Sequence, residues 1–104
     1  MAITNFQVTA NTSSAAFTAS ANTAVTVIYI TNKSLATGTV NIYLVPNGQL
    51  VSENYKLYNN LSIGSQDTYI IDTEKLILES GDRIYIEAPD SAAQFNATIS
   101  TIGL

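Results

Sequence analysis

The stretch that decides the fold is TVNIYLVPNG, residues 39–48. Its apolar side chains alternate, because Val40, Ile42 and Leu44 fall on one face of an extended chain and polar or aromatic residues lie between them. Successive side chains of a strand point to opposite faces, so this period of two predicts a half-buried β-strand. The strand ends at Pro46, which has no amide hydrogen for a sheet ladder, and the Asn-Gly pair after it is typical of a tight turn.

Similar signals recur along the whole chain. Further strands are predicted for residues 3–9, 24–32, 67–72, 76–78, 83–88 and 95–101, and weaker ones for residues 15–20, 50–51 and 55–62. No amphipathic helical segment of about ten or more residues separates them, as a βαβ fold would require. The sequence therefore predicts an all-β fold, an antiparallel and jelly-roll-like β-sandwich of about seven to nine short strands with negligible helix.

The same alternation predicts which side chains form the core. The predicted core comprises Val25, Val27, Val40, Ile42, Leu44, Tyr69, Ile71, Ile84, Ile86, Phe95 and Ile99. Val25, Val27 and Tyr29 share one face of their segment, whereas Ile28 and Ile30 share the other. Apolar side chains on both faces predict a central strand, or a strand whose outer face meets another chain.

The N-terminal segment, residues 1–23, contains no charged side chain and is rich in Ala, Ser, Thr and Asn. Two interpretations of it remain open. It forms the first strands of the sandwich, or it is an extended arm, anchored by Phe6 and Val8, that adds to the edge of a neighbouring subunit. Residues 24–104 form the β-sandwich domain in either case.

The composition excludes most kinds of catalytic and metal-binding site. The chain of 104 residues contains no cysteine and no histidine, which removes disulfides, thiolate metal sites and the usual general base. Charged residues make up 12 %, and the formal net charge of −4 leaves no basic patch for nucleic acid. No apolar run approaches the length of a bilayer span. We expect a protein that is not an enzyme, with no catalytic, cofactor-binding or metal-binding residues, no nucleic-acid partner and no membrane partner.

Aromatic and apolar side chains outside the predicted core are candidates for an interface. Tyr43 and Tyr85 fall opposite the aliphatic faces of their strands, which predicts that both are exposed. Tyrosines so placed either pack across strands or form an interface or sugar-stacking surface. The candidate interface residues are Phe6, Val8, Phe17, Tyr43, Tyr55, Tyr58 and Tyr85.

The order of strand and turn motifs over residues 24–101 can be compared with a known group. The series runs TVIYITNKS, TVNIYLVPNG, LSIGSQDTYIID, LILESGDRIYIEA and FNATIS. It resembles the small β-sandwich structural proteins of tailed-phage virions, which include capsid decoration (cement) proteins and tail-associated modules. The resemblance lies in the packing pattern and the turns, and it does not cover residues 1–23.

The resemblance implies a non-enzymatic bacteriophage virion protein. We expect a capsid decoration protein that binds the outer shell, with the major capsid protein as its partner and the virion, assembled in the host cytoplasm, as its location. The alternatives are a tail, neck or fibre component and a carbohydrate-binding β-sandwich module. Low surface charge and two-sided apolar strands also predict a homo-oligomer, with a trimer as the simplest unit on a symmetric particle.

Overall fold

The structure is a computed structural model that describes residues 2–8, 14–72, 76–89 and 94–104. Its strands are β1 (Ala2–Val8), β2 (Phe17–Thr18), β3 (Thr23–Asn32), β4 (Gly38–Val45), β5 (Lys56–Ile63), β6 (Thr68–Ile71), β7 (Leu76–Leu78), β8 (Arg83–Glu87) and β9 (Phe95–Gly103). The helical content of these residues is one 3-10 turn, Glu53–Tyr55. The prediction of an all-β fold is confirmed.

The strands form two antiparallel sheets. Sheet I has the order β1-β9-β3-β6, with β7 also paired to β3, and sheet II has the order β2-β8-β4-β5. Strands β6 and β7 pair with different parts of β3, so together they occupy one edge of sheet I. The chain thus folds back on itself, pairing β1 with β9, β2 with β8, β3 with β6 and β7, and β4 with β5, and successive pairs alternate between the sheets. This wrapping is the jelly-roll topology, as the sequence predicts.

The inner faces of the two sheets enclose one apolar core. Phe95, Ile30, Ile42, Ile84 and Val40 are all completely buried in it. Most of the predicted core residues lie there. Leu44 is only half-buried, although it packs against the core, and Tyr69 faces inward but stays 39 % exposed because β6 is an edge strand.

The prediction that Val27 belongs to the core is wrong, and a β-bulge in β3 is the reason. Val25 pairs with Thr101 and Val27 pairs with Ser100, so Thr26 is an extra residue without its own partner in β9. An extra residue reverses the face on which every following side chain lies. Val27 is therefore turned outward, and Ile28 and Ile30 enter the core with 1 % and 0 % exposure.

A buried asparagine holds one end of the sandwich together. Asn32, at the end of β3, is fully buried. Its side-chain oxygen accepts hydrogen bonds from the amide and hydroxyl of Ser34, and its side-chain amide donates to the carbonyl oxygens of Ala36 and Ile63. All four hydrogen-bonding positions of the amide are used, so its burial carries no desolvation penalty from an unpaired group.

The chain between β4 and β5 folds back over the outer face of sheet II. Val51 and Tyr55 from this connection pack on Tyr43, Val45 and Tyr85, which are buried on that outer face. Sheet II therefore has an apolar cluster on each side, the shared core within and this smaller cluster outside.

Asp82, just before β8, and Arg83, its first residue, fix this connection in place. The Asp82 carboxylate accepts the backbone amide of Asn47 at 2.9 Å, and the Arg83 guanidinium donates to the carbonyl oxygens of Pro46 and Gln49. Gly81 has φ +91°, and a Cβ there would lie 2.4 Å from the side chain of Asn47. The positive φ favours glycine at this position, and a Cβ would in addition displace the Asn47 side chain.

The bulged register and a regular register predict different costs for truncating Ile30 and Val27. Truncation of Ile30 to Ala should lower the free energy of unfolding by about 2–5 kcal/mol, because Ile30 is fully buried. Val27→Ala should cost about 1 kcal/mol or less, because Val27 lies on the outer face. Denaturant unfolding of both variants measures the difference. A larger cost for Val27→Ala than for Ile30→Ala would show that the strand is in regular register.

Candidate interaction surface

The outer face of sheet I is covered by no other part of the described chain, and we call it the bare face. The strand registers and the burial of alternate side chains identify its members. They are Ile3, Asn5 and Gln7 on β1, Asn96, Thr98, Ser100 and Ile102 on β9, Ala24, Val27, Tyr29 and Thr31 on β3, Thr68 and Ile70 on β6, and Ile77 on β7.

Five large apolar side chains lie exposed on the bare face. Their exposed fractions are 66 % for Ile3, 40 % for Tyr29, 51 % for Ile70, 61 % for Ile77 and 40 % for Ile102. Tyr29 lies directly opposite Ile70 on the neighbouring strand, and Ala24 lies between Ile77 and Ile102. Neighbouring exposed apolar groups, in contrast to scattered single ones, are typical of a surface that binds a partner.

The bare face carries no charged side chain. Its polar members are Asn, Gln, Ser and Thr, and several of them already pair across strands. The hydroxyls of Thr31 and Thr68 are 3.0 Å apart, and the Thr98 hydroxyl donates to the side-chain oxygen of Asn5 at 2.9 Å. Uncharged groups lose less hydration energy than ions when a partner covers them, and side chains already held in place lose little rotamer freedom. The bare face is therefore suited to being covered.

The outer face of sheet II, unlike the bare face, carries charged side chains and is covered by another part of the chain. It carries Lys56, Arg83 and Glu87, and the connection between β4 and β5 already covers its apolar part. Lys56 forms a 2.9 Å ion pair with Glu53, and its ammonium lies 5.5 Å from the ring centroid of Tyr43. Charges and a folded-back segment thus occupy this side of the sandwich, whereas sheet I presents its uncharged side.

The structure places the predicted interface residues away from the bare face. Val8, Tyr43 and Tyr85 are buried, and Phe6, Phe17, Tyr55 and Tyr58 are half-buried. Phe6, Phe17 and Tyr58 pack against the main core, and Tyr55 packs against Tyr43 and Tyr85.

The prediction that Tyr43 and Tyr85 are exposed is wrong. At 6 % and 8 % exposure they form the small cluster under Val51 and Tyr55. Alternation correctly put both tyrosines on the face opposite the core. It carried no information about the segment after β4 that returns to cover that face.

The N-terminal residues take the first-strand arrangement in this structure. Ala2–Val8 pairs with β9 in unbroken register, from Ala2 opposite Thr101 to Val8 opposite Phe95. Phe6 and Val8, the anchors that the arm interpretation assigns to a neighbour, point to this chain's own core. Residue 1 and residues 9–13 lie outside the described residues.

One half-buried polar cluster surrounds Glu87 on sheet II. The Glu87 carboxylate accepts hydrogen bonds of 3.0 Å from the side-chain amide of Asn41 and from the hydroxyl of Tyr43, and the Asn41 oxygen accepts the amide of Asn60 at 2.8 Å. The cluster has one carboxylate, and its other titratable group is the Tyr43 hydroxyl that donates to this carboxylate. Within the described part of the chain, no group of three or more potential metal ligands was found.

A pocket of about 260 Å³ opens at the edge of the sandwich, between β5 of sheet II and the β6/β7 edge of sheet I. The lining residues are Val25, Ile28, Ile42, Leu57, Tyr58, Ile71 and Leu76. Among the described residues, none of those that line the pocket is charged.

The sequence indicates only the part of the bare face that lies on β3. Apolar residues on both faces of β3 indicated an outer face that another chain could meet, and Tyr29 lies there. The alternation over residues 67–72 and 76–78 does not identify Ile70 and Ile77 as part of a surface, and Ile102 lies beyond the strand predicted for residues 95–101. The joint position of these residues depends on the pairing of strands distant in sequence.

Comparison with protein-family models, with curated protein sequences and with solved structures found no match for the chain. None of the helical structure in the described residues is long and apolar enough to cross a bilayer.

The environment of Tyr43 predicts an alkaline dependence of stability. Burial, and next the hydrogen bond to the charged Glu87, raises the pKa of Tyr43 above the ordinary tyrosine value. The folded state therefore holds this proton more tightly than the unfolded state does. The resulting stabilisation is complete below the unfolded pKa of about 10 and is lost as pH rises through the folded pKa.

Tyr43→Phe should accordingly be less stable than the wild type at neutral pH, by about 1 kcal/mol for the lost hydrogen bond. The difference should shrink as the pH is raised above about 10. Denaturant unfolding across this pH range measures it, with Tyr29→Phe on the bare face as the matched control. A Tyr43→Phe deficit that stays constant with pH would contradict the assignment.

Proposed function

We propose that this chain is a non-enzymatic structural protein of a bacteriophage virion, a capsid decoration protein that lies against the outer shell through its bare face. The observation that carries the proposal is the bare face itself, which combines exposed Ile3, Tyr29, Ile70, Ile77 and Ile102 with a complete lack of charge. The resemblance of residues 24–101 to small virion proteins supplies the setting. The jelly roll occurs in viral capsid proteins and also in lectins and cupins, so the fold supports the proposal only by analogy.

The distribution of polar and apolar groups supports docking through this face. Most of the exposed apolar side chains lie on β3, β6 and β7, and Asn, Gln, Ser and Thr predominate on β1 and β9, so the bare face combines apolar and uncharged polar contacts as known interfaces do. Lys33, Asp67, Asp72 and Glu79 lie just beyond the ends of sheet I strands, whereas Glu53, Lys56, Asp82, Arg83 and Glu87 lie on sheet II or its turns. The charges of sheet II would face solvent in a docked subunit and keep the decorated particle soluble.

The major capsid protein is the proposed partner, and the contact would be largely non-ionic. Because the bare face has no charge, binding should depend little on ionic strength, whereas contacts built on ion pairs weaken as salt screens them.

A tail, neck or fibre component is the alternative within the same setting, and copy number separates the two. A decoration protein should occur in purified virions in numbers comparable with the shell subunits, because it follows the symmetry of the shell. A tail ring or fibre holds only a few copies. Quantitative mass spectrometry of virions gives this ratio, and a low ratio would favour the tail alternative.

The carbohydrate-binding alternative loses its specific support in this structure. It requires aromatic rings open to a sugar, and Tyr43, Tyr55, Tyr58 and Tyr85 are all buried or half-buried against other side chains. Stacking of a sugar ring needs a free aromatic face.

A charge placed next to Tyr29 in the apolar part of the bare face tests the docking. Ile70→Lys should reduce incorporation into particles that lack the protein by at least about tenfold, since a desolvated, unpaired lysine costs more than 1.4 kcal/mol. Leu35→Lys is the matched control, because Leu35 is 85 % exposed in the turn after β3 and away from the bare face.

Co-sedimentation with particles measures incorporation, and thermal unfolding verifies that both variants are folded. Equal incorporation of Ile70→Lys and the wild type would contradict docking through the bare face. Absence of the wild-type chain from purified virions would contradict the proposed function as a whole.

A further inference from the structure

The strands that the structure describes leave four sheet edges, and each presents backbone amides and carbonyls that no described strand of the same sheet pairs on one side. In sheet I the edges are β1 and the β6/β7 pair, and in sheet II they are β2 and β5. Unpaired backbone groups on a straight, uncharged strand are a template for another strand, so natural sheets protect their edges by recognisable means.

Three of the four edges carry such protection. Strand β5 shifts register against β4 at two points, contains Asn60 at φ +53° and begins with a lysine. The β6/β7 edge is divided into pieces of four and three residues, with Asp72 after the first. Strand β2 is only two residues long. Bulges, charges and short length each discourage strand addition.

The remaining edge, β1, has none of these features. Its seven residues, AITNFQV, contain no charge, proline or glycine, and pair with β9 without a register shift. No residue of β1 has a positive φ. Among the residues that the structure describes, no strand pairs with the second edge of β1.

We infer that the free edge of β1 pairs with β1 of a second copy of this chain, antiparallel about a two-fold axis, so that two copies of sheet I join into one continuous sheet. The inference deepens the proposed function and rests on it only for the location of the pair on a particle. Strand addition of this kind uses main-chain hydrogen bonds for affinity.

The strand is complementary to itself in this arrangement. Overlap of all seven residues puts Asn5 opposite Asn5 of the second copy, Ile3 opposite Gln7, and Thr4 opposite Phe6. Odd-numbered residues meet odd-numbered ones, so the bare faces of the two copies lie on the same side of the joined sheet. The half-buried ring of Phe6 gains a cover, and the docking surface doubles in area.

The distribution of charge along the chain favours a second copy as the partner of the β1 edge. Neither β1 nor β9 carries a charged residue, and all eight carboxylates lie in residues 53–90, so two negatively charged chains approach along their neutral sides. An isologous pair also needs only one unprotected edge, and β1 is the edge of this chain that provides it.

The pair should be weak in solution. A single strand edge buries less surface than the roughly 1,200–2,000 Å² of a stable complex. Two copies held side by side on a particle surface would have a high effective concentration, and pairing would then be nearly complete.

Sedimentation velocity over a wide concentration range tests the pairing. The wild type should pass reversibly from monomer to dimer. Asn5→Lys puts two like charges opposite each other at the axis and should require at least tenfold higher concentration to dimerise. Ser62→Lys, on the exposed edge strand β5, is the matched control and should dimerise like the wild type.

Hydrogen exchange gives a second measurement that does not depend on a variant. Alternate amides of β1 should gain protection as the concentration of the wild type rises. A wild type that stays monomeric, a threefold assembly in place of a two-fold one, or equal dimerisation of Asn5→Lys and Ser62→Lys would each overturn the inference. A wild type that stays monomeric yet incorporates into particles would overturn the pairing and leave the proposed function intact.

Discussion

The register of β3 is the constraint on which the rest of the structure depends. This strand pairs with β9 on one side and with β6 and β7 on the other, so its two faces decide what lies inside and outside sheet I. The extra residue at Thr26 turns Ile28 and Ile30 into the core and Val27 and Tyr29 outward. Without the bulge, one face would have to bury Tyr29 and expose two isoleucines. The core and the bare face are therefore two results of one local feature.

The two outer faces of the sandwich differ because only one of them is covered from within the chain. The connection after β4 is held on sheet II by Asp82 and Arg83, and its Val51 and Tyr55 bury the tyrosines beneath. Sheet I has no such segment among the described residues. Its apolar side chains therefore remain available to another molecule, and its lack of charge makes their desolvation inexpensive.

The sequence predicted the fold more completely than the surface. Alternation within a strand is a local signal, and it identified Ile42, Ile84, Phe95 and the jelly-roll class correctly. It failed at Val27, because a bulge leaves no mark in a run of β-branched residues, and at Tyr43, because the covering segment lies beyond the strand. The bare face could not be derived in full, since it joins strands from residues 3 to 102 by pairings that no single segment encodes.

Radical footprinting of free and particle-bound protein tests the central claim, that the bare face is the docking surface, most directly. Tyr29, Ile70 and Ile77 should be labelled in the free protein and protected on the particle. Leu35 and Leu50, which are 85 % and 84 % exposed outside the bare face, should be labelled equally in both states. Unchanged labelling of Tyr29, Ile70 and Ile77 on the particle would contradict the account.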